Sequence, residues 1–408
     1  MTDITPDTIL CRAPDLRIDF NARNEPIANA RTDRVSLGRH GLAMIDEFRE
    51  ATSVGEVLAK LKPRFQSSQE WIDALRLAAE LHSILALIEP EEAQAESRRL
   101  TGFDQASIHI AMLNDRTRTK AFLQGIEQQV RPGDIVMDIG TGTGVLAMAA
   151  ARAGAAKVYA IERGEIGEAA QRLFAENGFG DRIELISGRS TEISLPQPAD
   201  LITGEILGHD ALDEHAIETF LDASRRHLKP EGKILPRSAR IHAVPVLVPE
   251  DPLRRHQFSP QSLTYWQRNY EFDFSALLEW NRSGELQFLA RPETAEKWTK
   301  PCGAADFPTI EFGKLQSAII DLEQVVEARE DCVINGILLY FELEIAEGVE
   351  LTIEPGKAAT DNHWLNPVHL LKEPIKLNRG DALKIGYEHG RSGITSVSAE
   401  SLSRQVQV

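Results

Sequence analysis

Cysteine is scarce in this chain, with only Cys11, Cys302 and Cys332 in 408 residues, far apart from one another. That count excludes a disulfide framework and fits a reducing cytoplasm. The eleven histidines form no ligand spacing with those cysteines, so no metal site is expected. Basic side chains are outnumbered 45 to 62, a net charge of -17, which argues against non-specific nucleic-acid binding. Surplus acid is compatible with a cationic partner, although it is also common in ordinary soluble proteins. No apolar run approaches the ~20 residues of a membrane-spanning helix. The richest, around Ala147 to Ala156, is broken by Arg152 and followed by Lys157. The opening Met1-Thr-Asp-Ile-Thr-Pro-Asp7 has neither the basic region nor the apolar core of a secretory signal. The expectation is a folded cytoplasmic protein with neither membrane nor nucleic acid as partner.

The length allows two or three domains, and the pattern divides the chain at about 97 and 236. In residues 1–97, Gly41 to Phe48 reads as a short helix with Leu42, Ile45 and Phe48 on one face. Ser53-Val-Gly-Glu56 and Ser67-Ser-Gln-Glu70 have capping-box spacing, each opening an apolar stripe. Pro63 ends the first of these helices, and Leu85 to Ile88 has the character of a small strand or wing. This α-rich order resembles the winged-helix domain that recognises leader peptides in ribosomal-peptide modification. The resemblance implies a leader peptide as partner; a helical extension that only packs against its neighbour is the alternative. Glu89 to Arg99 reads as a polar linker.

Residues 98–236 alternate strands (Ile135–Asp138, Lys157–Glu162, Arg182–Ile186, Asp200–Thr203) with helices (Val145–Ala153, Ile166–Asn177, about Asp213 to Leu228). Such alternation predicts a Rossmann-like α/β domain with a parallel sheet and right-handed crossovers. In residues 237–408 the period changes to that of strands, at Ile241–Val248, Ile310–Leu315, Leu338–Ile345, Gly348–Thr352 and Ala382–Tyr387, predicting a mainly β domain. Near 250–290 an aromatic insertion carries Phe258, Tyr265, Trp266, Tyr270, Phe272 and Phe274. It reads as a dimerisation arm or as local packing.

Asp138-Ile-Gly-Thr-Gly-Thr-Gly144 follows a strand and precedes a helix, the context that gives a glycine signature its meaning. Gly140, Gly142 and Gly144 let the backbone turn tightly and approach a ligand, with Thr141 between them. Glu162 ends the next strand, where a carboxylate can accept both ribose hydroxyls of a nucleoside cofactor. No Gly-Lys-Ser/Thr follows, so a Walker loop is excluded. The glycines alone leave nicotinamide and adenosylmethionine cofactors open.

Four motifs together resemble the protein arginine methyltransferase family, over about 280 residues from Ile108 to Tyr387. They are Met112-Leu-Asn-Asp-Arg-Thr-Arg-Thr119; the glycine loop with Ile161-Glu162; Glu205-Ile-Leu-Gly-His-Asp-Ala-Leu-Asp-Glu214; and Asn362-His-Trp364. The resemblance implies S-adenosyl-L-methionine as cofactor. Its carboxylate would meet Arg118, and its adenine would lie along Gly188, Arg189, Ser190 and Thr191. Asp138, Gly140, Thr141, Gly142, Gly144, Glu162, Arg163 and Glu205 complete the cofactor-side set. Glu205, Glu214 and His363 are the implied catalytic residues, with Phe122, His209 and Trp364 on the substrate side. An arginine-containing peptide or protein is the implied substrate, and a homodimer the implied assembly. The chain departs from the family where Ile206-Leu207 and Leu212-Asp213 replace bulkier residues of the paired-glutamate loop. Asn362 stands for a threonine, Phe122 for a tyrosine, and Arg99-Leu100 for an aromatic pair upstream of Phe103. The acidic adenine contact falls on Thr191, with Glu192 next to it.

The chemistry is displacement of a sulfonium-bound methyl by nitrogen, which an enzyme assists mainly by alignment and electrostatics. Guanidinium is planar and always charged, a rigid fork of donors suited to two carboxylates. Two carboxylates facing one site repel each other until a cation joins them. His363 would orient a glutamate from across the domain boundary, and Asp138 would brace the glycine loop. The departures keep two other readings open: methylation of free arginine or another small guanidino or amine metabolite, and a non-catalytic peptide-binding scaffold.

Overall fold

The computed structural model describes residues 4–13, 16–20, 24–30, 33–90, 105–281, 286–390 and 395–402. The chain forms two compact units, Met1–Gln105 and Ala106–Val408. Arg99, Leu100, Phe103 and most of the polar linker lie outside the described residues.

Among its described residues the first unit has six short strands beside three α-helices, which corrects the α-rich expectation. β1 (Ile9–Arg12) lies between β5 (Thr52–Ser53) and β6 (Leu87–Ile88) in one antiparallel sheet. β2 (Arg17–Phe20), β3 (Pro26–Ala30) and β4 (Asp33–Ser36) form a meander. Strands of two to five residues are too short to register a period, and Ile18 and Phe20 of β2 stay exposed, so no burial pattern marks them. The helices are α1 (Gly41–Glu47), α2 (Val54–Leu61) and α3 (Ser68–Ser83). Both capping serines act as expected: Ser53 accepts from Glu56 N–H and Ser67 from Glu70 N–H, each at 3.3 Å. Leu10, Met44, Phe48, Val54, Leu61 and Leu81 fill the core of this unit.

The second unit contains a five-stranded parallel sheet in the order β11-β10-β7-β8-β9. Its strands are β7 (Ile135–Ile139), β8 (Lys157–Glu162), β9 (Ile183–Ser187), β10 (Ala199–Gly204) and β11 (Leu228–Leu235). Val136, Met137 and Ala160 are fully buried, the continuous apolar interior of a sheet covered on both faces. Helices α4 (Ala106–Asn114) and α5 (Arg116–Gln129) precede the sheet. α6 (Val145–Ala153), α7 (Ile166–Glu176) and α8 (Ala216–His227) supply crossovers. The direction of winding reverses at β7, whose neighbours are β8 and β10. The loops after β7 and β10 therefore open into one crevice at the carboxyl ends of the strands.

An antiparallel sheet follows, with β12 (Ser238–Val246), β13 (Leu286–Ala290), β14 (Ala305–Asp306), β15 (Ile310–Glu311), β17 (Cys332–Ala346), β18 (Val349–Thr352) and β19 (Asn366–Leu377). β16 (Ile320–Glu327), β20 (Ala382–His389) and β21 (Thr395–Ser401) make a smaller one. Ile310–Leu315 is not one strand as expected. After β15 the chain makes a 3-10 turn at Phe312–Lys314, which drives Phe312 into the core 5.0 Å from the ring of Phe220. The two halves of this unit meet closely where α5 crosses β17: a side chain at Gly125 would put its Cβ 2.7 Å from Ile345 Cγ2. The aromatic insertion is largely helical, with α9 (Glu250–His256) and α10 (Pro260–Tyr270). Among the described residues, no helix is long and apolar enough to cross a membrane.

Candidate active site

The loop between β7 and α6 takes its shape from three left-handed glycines, with φ of 66° at Gly140, 54° at Gly142 and 82° at Gly144. At Gly144 a Cβ would lie 2.2 Å from Phe174 Cε1, so both conformation and space demand glycine. Asp138 is fully buried beneath the loop and accepts a 2.5 Å hydrogen bond from Thr141 Oγ1. Burial pushes its pKa up to about 7, with the Glu162 charge adding to the rise and Thr141 opposing it. Glu162, at the tip of β8, accepts from the N–H groups of Gly142 (2.9 Å), Arg163 (2.8 Å) and Gly164 (2.8 Å). Gly188 N–H donates to Glu162 O at 2.9 Å, bringing the Gly188–Thr191 stretch beside it.

The cleft over this loop is lined by His109, Met112, Arg118, Phe122, Gly142 and Glu205, among others. Arg118 enters from α5. Its Nη1 pairs with Glu205 Oε2 and its Nη2 donates to Met112 O at 2.8 Å. The buried Arg118 Nε has no hydrogen-bond partner. Glu205 directly follows β10, and its side chain is 12% exposed. Glu214 lies nine residues on, at φ 65°, next to His215 at 62°. These two left-handed residues delay helix α8 to Ala216, three residues after the expected start. The Glu214 side chain opens to solvent yet is surrounded by enough protein to lose much of its hydration. That loss, with Glu205 nearby, pushes its pKa up to about 7, while Arg163 opposes the rise.

The far wall comes from the segment before β19. His363 Nδ1 is 2.9 Å from Asp115 Oδ2, which also accepts from His363 N–H at 3.1 Å. Asp115 is the N-cap of α5 and accepts from Arg118 N–H at 2.9 Å. Burial opposes ionisation of Asp115, but the His363 contacts and the Arg118 N–H outweigh it and hold the pKa below the usual value. Trp364 Nε1 donates to Leu207 O at 3.1 Å, and Leu365 N–H donates to His209 Nδ1 at 3.0 Å. That bond makes Nδ1 the acceptor, leaving the His209 proton on Nε2.

The sequence-predicted residues thus converge from three directions. Arg118, Phe122, Gly140, Thr141, Gly142 and Glu205 line the cleft itself. Glu162 and Gly188–Thr191 stand at one end, and His363, Trp364 and His209 hold the glutamate loop against α5. His209, anticipated as a substrate contact, spends one ring nitrogen on the backbone of Leu365. Two residues escaped the sequence reading. His109 of α4 lies over the loop, such that a Cβ on Gly142 would be 3.5 Å from His109 Cε1; its place three residues before Met112 was the available signal. Asp115 reads as an ordinary helix cap until His363 is seen beside it. Among the described residues, no cluster of His, Cys, Asp and Glu could hold a metal ion.

Residues 115–236 match the family model of ribosomal protein L11 methyltransferase (PrmA). The chain is 29% identical over 287 residues to "Protein arginine N-methyltransferase 1" of Dictyostelium discoideum, covering 69% of this chain and 81% of that protein. It is 28% identical over 334 residues to "Arginine N(omega)-methyltransferase" of Streptomyces achromogenes subsp. streptozoticus, covering 79% and 87% respectively. A solved "Trypanosoma brucei PRMT1 enzyme-prozyme heterotetrameric complex with AdoHcy" shares the fold, with TM-score 0.62 at 22% identity over 74% of this chain and 99% of that one. Parallel sheet, glycine loop and strand-end acid define a class I methyltransferase. With the β region behind them and the paired-glutamate loop at the crevice, the chain is similar to the protein arginine N-methyltransferases over more than two thirds of its length.

Proposed function

We propose that this protein transfers a methyl group from S-adenosyl-L-methionine to a guanidinium nitrogen of arginine in a peptide or protein. The observation that carries the reading is the junction of Arg118 and Glu205 in the glycine-loop cleft, with Glu214 at the other end of the same loop. The residues present fit the cofactor. Positive-φ glycines leave the loop backbone approachable, Glu162 offers a strand-end carboxylate for ribose hydroxyls, and Arg118 Nε is a buried donor awaiting an acceptor. In this reading His109 and Gly188–Thr191 flank the nucleoside, and Asp138 braces the loop.

When bound, the cofactor supplies an electrophilic methyl on sulfonium. Glu205 and Glu214 grip the planar guanidinium, aim one nitrogen at that methyl, and draw positive charge toward the nitrogens they hold. Arg118 pairs with Glu205 and orients it. Asp115 holds His363, whose imidazole supports the glutamate loop from the β side. The proton leaves the nitrogen during or after transfer, so no strong base is needed.

Free arginine is a second acceptor worth testing, because the Streptomyces relative carries "Arginine" alone in its name and Ile206 and Leu207 leave the loop less bulky. The first unit, with its order α1-β5-α2-α3-β6, suits a winged-helix-like receiver for a leader peptide. We retain a division at about 97 and 236 as the functional map. Tyr265, Tyr270 and Phe272, each more than half exposed around α10, support a homodimer built through this arm. The scarcity of cysteine, three in 408 residues, fits the cytoplasm.

The test is methyl transfer from labelled adenosylmethionine to a peptide fraction of the native cell and, in parallel, to arginine and other guanidino compounds, with Glu205→Gln as control. Peptide labelling at arginine that disappears in the control establishes the reading. Labelling of small molecules alone moves the substrate, and absence of both transfer and cofactor binding leaves a scaffold.

A further inference from the structure

The paired-glutamate loop holds a third carboxylate that faces inward. Asp210 is 3% exposed and uses both oxygens. Oδ1 accepts the N–H groups of Leu212 (2.9 Å) and Asp213 (2.7 Å), closing a local turn. Oδ2 accepts the Tyr387 hydroxyl at 3.3 Å and the Thr395 hydroxyl. Those partners sit on β20 and β21 and are themselves buried, with His389 Nδ1 3.2 Å from Thr395 Oγ1 behind them.

The turn needs such an anchor. Ala211, Glu214 and His215 all have positive φ, at 70°, 65° and 62°, a conformation L-residues avoid. Asp213 folds back until its Cβ is 2.2 Å from where a Cβ on Gly208 would be. Glu205 is fixed by the end of β10, whereas Glu214 follows this strained stretch and has no strand beneath it. Backbone of this kind persists only where its surroundings over-determine it. Here the buried hydroxyls of the last two strands do so, through Asp210.

We propose that Asp210 is a positioning residue for Glu214, suspending the acidic loop from Tyr387 and Thr395 so that the second glutamate meets the guanidinium at the correct place. The inference rests on the methyltransferase reading above. It makes the far β20–β21 edge a determinant of transfer without any contact to substrate.

The experiment compares Asp210→Ala, Asp210→Asn, Thr395→Val and Thr395→Ser in the full chain, measuring kcat, the acceptor KM, the Kd for S-adenosylhomocysteine and the folded fraction. Asp210→Ala and Thr395→Val should lower kcat by about 10- to 100-fold and raise acceptor KM, the scale of a misplacement near 1 Å. The Kd for S-adenosylhomocysteine should stay at the wild-type value. Asn keeps an acceptor for the two N–H groups and Ser keeps the hydroxyl, so both should restore most of the activity. If Asp210→Ala fails to fold, Thr395→Val, with the same shape as threonine, decides. Wild-type kcat and KM in Thr395→Val overturn the proposal. So does activity that falls only in proportion to folded fraction with KM unchanged. A wild-type protein that binds S-adenosylhomocysteine but methylates no acceptor instead sinks the underlying reading, and the inference with it.

Discussion

Acidification should weaken acceptor use well before it unfolds the protein, because Glu214 titrates at about 7 and not in the ordinary carboxylate range. Lost hydration in the cleft is the larger cause, the Glu205 charge the second, and Arg163 pulls the other way. Arginine's guanidinium stays charged throughout. If only ionised Glu214 grips it, kcat/KM at saturating cofactor falls about tenfold for each pH unit below 7, so about tenfold at pH 6. The sign for stability is opposite in its benefit. A carboxyl whose folded pKa is raised from 4.5 to about 7 favours folding fully below pH 4.5, and that contribution is lost as pH rises through 7. Activity should thus climb over the same window in which the free protein becomes easier to denature, and bound guanidinium should restore stability. The assay is initial-rate transfer to subsaturating peptide from about pH 5.5 to 8.5 at constant ionic strength, beside urea unfolding at the same pH values. Asp213, also raised to about 7 by burial and by Asp210, could mimic the profile, so Asp213→Asn must keep the acid limb. A flat kcat/KM across the range, with Glu214→Gln still inactive, would refute the reasoning.

Four further outcomes are expected. Glu162→Gln should raise the Kd for adenosylmethionine by at least about tenfold in calorimetry, since a charge-assisted ribose contact and three backbone N–H partners are weakened together. Gly144→Ala combines a left-handed φ, costing ~1–2 kcal/mol, with overpacking on Phe174 of ~1–3 kcal/mol; urea unfolding should record a loss in that combined range. His363→Ala should cut kcat about tenfold or more, the scale of losing one oriented partner. Asp115→Asn should add less to it than its own single effect, a coupling read in a double-mutant cycle.

The parallel sheet and the cofactor loop were legible because their determinants are local. Asp138 to Gly144 is seven contiguous residues whose strand-turn-helix context shows in the pattern around it, and Glu205 and Glu214 are nine apart. His363 was legible only by resemblance, since its partner Asp115 lies 248 residues away and a cap carries no sign of a second role. Nothing in the sequence sets Asp210 apart within its acidic loop, and only the fold brings Tyr387 and Thr395 to it. In the first unit, β2 lacks an alternating burial pattern because all four of its residues are exposed. The strand expected over Ile310–Leu315 failed where Phe312 preferred the core to the sheet.

Helix α5 begins against two carboxylates from opposite ends of the chain. Asp115 caps it from within, while Asp361, just ahead of His363, accepts the N–H groups of Arg116 (3.2 Å) and Thr117 (3.3 Å) and the Thr117 hydroxyl (2.8 Å). The helix that aims Arg118 at the cofactor cleft is thereby moored to the segment that carries His363 to the acceptor. Any hinge between the sheets would have to strip these N–H groups of their partners, a toll levied at a helix end where no intrahelical substitute exists. If cofactor and acceptor couple through this mooring, each must change the other's affinity by the same factor. Changes at Asp361, which sits two residues before His363, should therefore register in affinity for the cofactor as well as for the acceptor.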